Sequence, residues 1–381
     1  MKTSLAGLAL ALALTTTGSA TLAADGPIRI GTVLSVTGPL AYLGDPAAKT
    51  LDLWVDRLNA AGGVLGRKLE LVSYDDVGEA SKANGLVKRL IDNDHVDVVI
   101  GSHSTGATMA MVPVVENAHM PLISPAGGAV IIDPVKKWVF KTPPTDRMAA
   151  ERVYGHMKAK GITKVALLCE TSGFGQSARK EAQAVAAGFG VSIVADEAFA
   201  PKDTDMVAQL TKIRDAAPQA VFVLGTNPAA AIVTKNYRQV GLTQPLYQAH
   251  SVTSQEYVDL AGAAAEGVVA PALPVVVFDD LPSSDPQYPR LADYVGAYRA
   301  KFGQDPAAYG ASALDALLLY VDAVGRAGTT DRTAVRDALE KTSGFVTTAS
   351  MVSLSATDHL GLKADTFRMI EVRGGKWHLA P

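Results

Sequence analysis

The chain has 381 residues, of which 48% are hydrophobic and 19% charged, with a formal net charge of −3 at neutral pH. That charge gives no electrostatic case for nucleic acid or an anionic membrane surface as partner. The single cysteine, Cys169, excludes an internal disulfide and any zinc site built on cysteine pairs, while the length suggests about two domains.

Lys2 is followed by an apolar run, Leu5–Leu14, and by small residues ending Thr21-Leu22-Ala23. This is the pattern of a secretory signal peptide cut after Ala23, and the run is too short to anchor in a bilayer. No cysteine near the cut offers a lipid attachment point, so an exported, soluble product is expected. Ile28–Leu34 reads as a first strand, Ser35–Asp45 as a Gly/Pro-rich loop, and Ala47–Ala60 as a helix with Leu51, Trp54, Val55 and Leu58 on one face. Gly62 and Gly63 stop that helix. Leu69–Tyr74 reads as a second strand, followed by a helix through Ile91.

Val96–Ile100 and Pro121–Ser124 are short apolar runs that read as buried parallel strands flanking a helix over Thr108–Asn117, a βαβ unit. Each strand breaks into small polar residues as it ends: Gly101 to Gly106 after the first, Ser124 to Gly128 after the second. Open parallel sheets seat ligands outside the carboxyl ends of their strands. Hydroxyls and free N–H groups at a helix start bind an anion without a cationic side chain, which makes this stretch a candidate seat for a small carboxylate. The same residues also suit an ordinary N-cap and tight turn, and both readings stand at this point.

Val139–Thr142 reads as a strand, and Pro143, Pro144 and Asp146 mark a boundary. A second series follows: helix Met148–Lys160, strand Val165–Cys169, helix Gln176–Ala187, strand Val191–Phe199, helix Asp205–Ala216, strand Ala220–Leu224, helix Pro228–Val240 and strand Pro245–Ala249. Cys169 thus reads as a small core hydrophobe. From Val268 come a proline-interrupted extended run, a loop over Asp279–Pro289, and helices Arg290–Phe302, Ala307–Gly325 and Arg332–Thr342. Late strands over Met351–Leu354, Thr366–Val372 and Trp377–Leu379 read as additions to existing sheets. The alternation predicts an α/β fold of two doubly wound, Rossmann-like lobes joined by a hinge that the chain crosses several times. The expected division is 26–145 plus 274–346 for the N-terminal lobe and 146–273 plus 347–381 for the C-terminal lobe.

Motifs for hydrolase nucleophiles, zinc proteases and P-loops are absent from the sequence. Gly173-Phe174-Gly175-Gln176-Ser177-Ala178, with Asp196 about 20 residues on, fits a bare dinucleotide fingerprint and leaves an NAD-type oxidoreductase as an alternative. A glycine-containing strand-to-helix loop is the competing explanation. Tyr42 with its neighbour Leu43, Phe174, and Asn227 of Gly225-Thr226-Asn227-Pro228 all follow strand ends. If two lobes face each other, these positions meet across a cleft. His250, at the end of Pro245–Ala249, reads either as a ligand contact or as a capped strand end.

The chain resembles the periplasmic solute-binding proteins of ABC importers, in the leucine/isoleucine/valine-binding and amide-binding group. The residues that carry the likeness include Ile30-Gly31 through Thr37-Gly38-Pro39, Asn59 through Gly66, Tyr74-Asp75-Asp76, Val99-Ile100-Gly101, Ile123-Ser124-Pro125-Ala126, Tyr237 through Gly241 and Ala265-Glu266-Gly267. The resemblance implies a type I periplasmic binding fold, three lobe crossings, no enzyme activity and no cofactor. It implies ligand capture by hinge closure and docking of the closed monomer on an inner-membrane permease. It also implies that Ser104 and Thr105, with Ala126, Gly127 and Gly128, hold the ligand carboxylate, that Phe174 is the aromatic of the second lobe, and that Thr226 and Asn227 add a side-chain contact. Gly128 stands where amino-acid binders often carry Thr. His250 stands at or near the acidic partner of the ligand ammonium, which leaves open whether Glu170 or Asp45 serves instead, or whether the ligand lacks an ammonium and is an aromatic or aliphatic carboxylate, or an amide.

Overall fold

The computed structural model describes residues 26–381; the leader expected over 1–23 lies outside the described residues. The first series gives β1 (Ile28–Leu34), α1 (Ala41–Ala60), β2 (Leu69–Asp75), α2 (Ala80–Asp92), β3 (Val98–Gly101), α3 (Thr105–Asn117), β4 (Leu122–Ser124) and β5 (Val139–Lys141). Its five strands form one parallel sheet in the order β2-β1-β3-β4-β5.

The second series gives α4 (Asp146–Ala159), β6 (Lys164–Glu170), α5 (Gly173–Ala186), β7 (Ser192–Phe199), α6 (Val207–Asp215), β8 (Ala220–Leu224), α7 (Ala229–Gln239), β9 (Leu246–Gln248), α8 (Gln255–Ala261) and β10 (Val269–Ala272). Three helices follow, α9 (Tyr288–Phe302), α10 (Ala308–Ala327) and α11 (Arg332–Glu340), then β11 (Phe345–Val346), β12 (Met351–Val352), β13 (Arg368–Arg373) and β14 (Lys376–Leu379). The second sheet has seven strands in the order β14-β13-β10-β9-β8-β6-β7, with β13 antiparallel to both neighbours.

Inner strands such as β3 (VVIG) and β8 (AVFVL) are covered on both faces and are apolar or small throughout rather than alternating. In the first sheet Ile30, Ile100 and Phe140 enter the core shared with α1 and α10, while Val33, Val99 and Val139 enter the core under α2 and α3. In the second, Leu168 and Val223 face one side and Val165, Leu167 and Cys169 the other. Burial pushes the Cys169 thiol up to about 12, which suits a packing role.

Three helices start three or more residues earlier than their apolar spacing suggests, and local hydrogen bonding explains two of them. Ser104 accepts from Ala107 N at 3.3 Å and starts α3 at Thr105. Ser172 accepts from Gly175 N at 3.1 Å and starts α5 at Gly173. The third, α1, begins at Ala41 and runs through Pro46. Gly44 permits this, because a Cβ there would stand 2.2 Å from the Ser35 carbonyl oxygen. Tyr42, Leu43 and Phe174 therefore ride on first helical turns, not on loops.

The late strands also need correction. Met351–Val352 pairs antiparallel with Phe345–Val346 in a separate hairpin and extends neither sheet. Ala349, Val352, Leu354, Leu360 and Leu362 pack into the core that holds α1 and α10, although the sequence reading gave this stretch to the second lobe. The anchor is buried Asp315 on α10, which accepts from Thr348 N at 2.8 Å and Thr348 Oγ1 at 2.7 Å. Asp315→Ala leaves the Thr348 N–H buried without a partner and the Thr348 hydroxyl with only the Ala311 carbonyl at 3.5 Å, and is expected to lower stability by about 1–3 kcal/mol, read as a shifted denaturation midpoint at unchanged slope.

Candidate ligand site

Between the lobes lies a cavity of about 90 Å³. The ends of β3 and β4 approach it from the first lobe and those of β6, β8 and β9 from the second, as the switch-point rule requires. The N-termini of α3 and α5 converge on it from opposite sides, each capped by a serine that lines the wall, Ser104 and Ser172. Two helix starts facing one small space favour a negative ligand group.

The lobes are in close contact here. A Cβ on Gly127 would stand 2.4 Å from His250 Nε2, and one on Gly173 would stand 3.0 Å from Gly106 Cα. Tyr42 on α1 donates to Ser251 O at 3.1 Å and accepts from Asn227 N at 3.3 Å. Tyr309 on α10 donates to the same Ser251 oxygen at 2.7 Å. Two hydroxyls of the first lobe thus converge on one carbonyl of the second.

Of the residues read from sequence, Leu43, Ser104, Thr105, Gly127, Phe174, Thr226 and His250 line the cavity. Tyr42, Ala126, Gly128 and Asn227 do not reach its wall in this closed form. Tyr42 is turned to the inter-lobe bonds just described. Ala126 N donates to Ser124 Oγ at 3.2 Å, and Gly128 N to Thr105 Oγ1 at 3.2 Å. Gly128 has no space for a larger residue, since its Cβ would fall 2.5 Å from the Thr105 methyl. The Asn227 side-chain amide is buried with no partner among the described residues. Asp45, one candidate for an ammonium, is held by Lys49 at 2.6 Å on the protein surface.

Sequence reasoning missed His103, Tyr309, Ser312 and Phe367, all of which line the cavity. His103 sits inside the polar stretch already singled out, and its chemistry was the available signal. Tyr309 and Ser312 come from α10 and Phe367 from the last crossing, so nothing local marks them. Phe174 and Phe367 flank the His250 ring at centroid distances of 5.4 and 5.3 Å.

No Asp, Glu, Lys or Arg is among the lining residues. Both histidines are neutral: burial holds His103 down to about 4, and burial with the nearby Lys141 charge holds His250 down to about 3. His103 Nε2 faces Tyr309 O at 3.0 Å and must donate to it. Charges stand one layer back. Lys141, fully buried at the end of β5, donates to the carbonyls of Pro143 and, at 3.0 Å, Pro144, both of which line the cavity. Burial lowers its pKa, opposed by the charge of Asp146. Glu170, at the end of β6, accepts from Ser172 Oγ at 2.7 Å and from Thr226 Oγ1 at 3.0 Å. Among the described residues no cluster of acids, histidines and cysteines could hold a metal, and no helix is long and apolar enough to cross a membrane.

Two predictions follow from this geometry. Tyr42→Phe removes both inter-lobe bonds of the Tyr42 hydroxyl without touching the cavity wall, so it is expected to raise the ligand off-rate at least about fivefold at near-constant on-rate, read by stopped-flow. Histidines held neutral by burial take up protons once wet below about pH 6.5, so acid favours open or unfolded forms. The thermal midpoint of His250→Asn is therefore expected to fall less steeply below about pH 6.5 than that of the unaltered protein, read by scanning calorimetry across pH.

The sequence profile of the periplasmic binding protein family matches residues 27–376. A leucine-, isoleucine-, valine-, threonine- and alanine-binding protein of Pseudomonas aeruginosa is 28% identical over 86% of this chain and 86% of its own length. Among solved structures, an extracellular ligand-binding receptor from Rhodopseudomonas palustris is 27% identical with a TM-score of 0.87, covering 93% of this chain and 100% of its own. The branched-chain amino acid transporter substrate-binding protein LivJ of Streptococcus pneumoniae, solved with isoleucine, is 26% identical with a TM-score of 0.82 over 93% of this chain and 99% of its own. These relatives are solute-binding proteins, not enzymes, and the glycines of Gly173–Ala178 serve helix packing: a Cβ on Gly175 would stand 2.0 Å from the Glu170 carbonyl oxygen. With its two lobes and their inter-lobe cavity, the chain belongs to the periplasmic binding protein family, type I fold.

Proposed function

We propose that this protein captures a small carboxylate with an apolar body, of the hydrophobic amino-acid type, by closing its lobes on it, and delivers it to an inner-membrane ABC permease as a monomer. The observation that carries this is the pair of capped helix N-termini meeting at an uncharged, largely apolar cavity. The named relatives that bind branched-chain amino acids support the ligand class. Export by the leader over 1–23 and lobes of 26–142 plus 274–366 and 145–272 plus 368–381 belong to the same proposal. The aromatic wall of Phe174, Phe367 and Tyr309 favours a second reading, an aromatic carboxylate in the same seat.

The residues divide the task simply. First-turn N–H groups of α3 and the Thr105 hydroxyl, which accepts from Gly128 N and keeps its own proton free, point donors at a carboxylate. Phe174, Leu43 and Phe367 bury the apolar body. A micromolar dissociation constant corresponds to roughly −8 kcal/mol, within reach of a few charge-assisted hydrogen bonds of about 1.5–3 kcal/mol each plus that burial, after the cost of closure.

A calorimetric screen of amino acids against aromatic and aliphatic acids tests the reading. At least one acid is expected to bind, and Thr105→Ala to weaken it by about 1–3 kcal/mol. Failure of every acid in the panel would refute the proposal, and an unchanged affinity would remove Thr105 from the seat.

A further inference from the structure

We infer that Glu170, which does not line the cavity, sets the ligand's class through two hydroxyls, so that the site takes a carboxylate that also carries a hydrogen-bond donor aimed at the second lobe, an amino or hydroxy acid rather than a plain or oxo acid. The inference rests on the carboxylate reading above.

The geometry is directional. Glu170 is 2% exposed and its two carboxylate oxygens receive Ser172 Oγ at 2.7 Å and Thr226 Oγ1 at 3.0 Å to each oxygen. Burial raises the Glu170 pKa, and the hydrogen bonds from Ser172 and Thr226 oppose that rise; as a carboxylate it only accepts, so both hydroxyls spend their single proton on it. Ser172 Oγ also accepts from Gly175 N at 3.1 Å. What Thr226, and in part Ser172, can still offer the cavity is a lone pair. These two hydroxyls of the second-lobe wall therefore accept and do not donate, although serine and threonine in isolation could do either.

The first-lobe wall has the opposite character. The α3 N-terminus and Thr105 present donors, and the buried Lys141 ammonium stands behind Pro143 and Pro144. A ligand carboxylate turned to the first lobe leaves its neighbouring substituent facing Thr226 and Ser172. A donor there is satisfied and is drawn by the Glu170 charge; a carbonyl there meets lone pairs on a desolvated wall. This supplies the counter-charge missing at His250 without placing an acid in the cavity.

Isothermal calorimetry on the full processed chain tests it with two trios: leucine, 2-hydroxy-4-methylpentanoate and 4-methyl-2-oxopentanoate, and the corresponding phenylalanine, phenyllactate and phenylpyruvate. In the better-bound trio the amino and hydroxy acids are expected to bind at least about tenfold tighter than the oxo acid. Thr226→Val is expected to remove that preference, with the oxo acid changing by less than about twofold. Glu170→Gln, checked for unchanged melting, is expected to weaken the amino acid more than the hydroxy acid. An oxo acid that binds as tightly as its amino acid, or a Thr226→Val variant that weakens all three equally, would overturn the inference while leaving the carboxylate reading intact. No binding by either trio, with a different acid bound in the wider screen, would also overturn it. No binding by any acid would instead strike the carboxylate reading itself.

Discussion

Everything at the site depends on two helix N-termini being brought tip to tip. α3 and α5 begin immediately beyond the ends of β3 and β6, and their capping serines, Ser104 and Ser172, both reach the cavity. Neither terminus alone would make a strong seat, because a single helix end in water is worth only about 0.3–1 kcal/mol to an exposed charge. Closure removes that water from both at once. It needs the missing side chains of Gly127 and Gly173, where any Cβ would press on the opposite lobe.

The closed cleft is held by more than its ligand. Ser251 O takes two tyrosine hydroxyls from the first lobe, Tyr42 at 3.1 Å and Tyr309 at 2.7 Å. Tyr309 O in turn receives the His103 imidazole. In the proposed closure, bonds of this kind bias the balance between open and closed forms, and an apparent affinity scales with the fraction that is competent. The cavity itself stays free of charge, with Lys141 and Glu170 set one layer behind opposite walls. Distributed this way, each ion is satisfied by fixed carbonyls or hydroxyls before a ligand arrives, and the ligand is not asked to desolvate it.

The layered architecture was legible in the sequence because buried parallel strands separated by amphipathic helices leave an unmistakable alternation. Helix starts were less so. Gly, Pro and Ser at 38–46, 101–106 and 171–175 read as loop, whereas in the fold Ser104 and Ser172 act as caps that draw the helices back toward the strands. That shift changed Tyr42 from a loop aromatic into an inter-lobe tie. Tyr309 and Phe367 could not be found at all, because they arrive from α10 and the last crossing with no local mark. Lys141 and Glu170 were visible only as charged residues at strand ends, and only three-dimensional packing shows that both are buried. The stretch 347–362 was misplaced for a similar reason: its tie to Asp315 is a contact between distant parts of the chain.

The central claim is mechanical, that a small acid pulls the two sheets together at their tips. Small-angle X-ray scattering of the processed chain, with and without a saturating acid identified by calorimetry, tests it most directly. The expected result is a smaller radius of gyration with ligand and a saturation curve that tracks the calorimetric one. Full calorimetric binding with superimposable scattering curves, and with Tyr42→Phe no more extended than the unaltered protein, would contradict it.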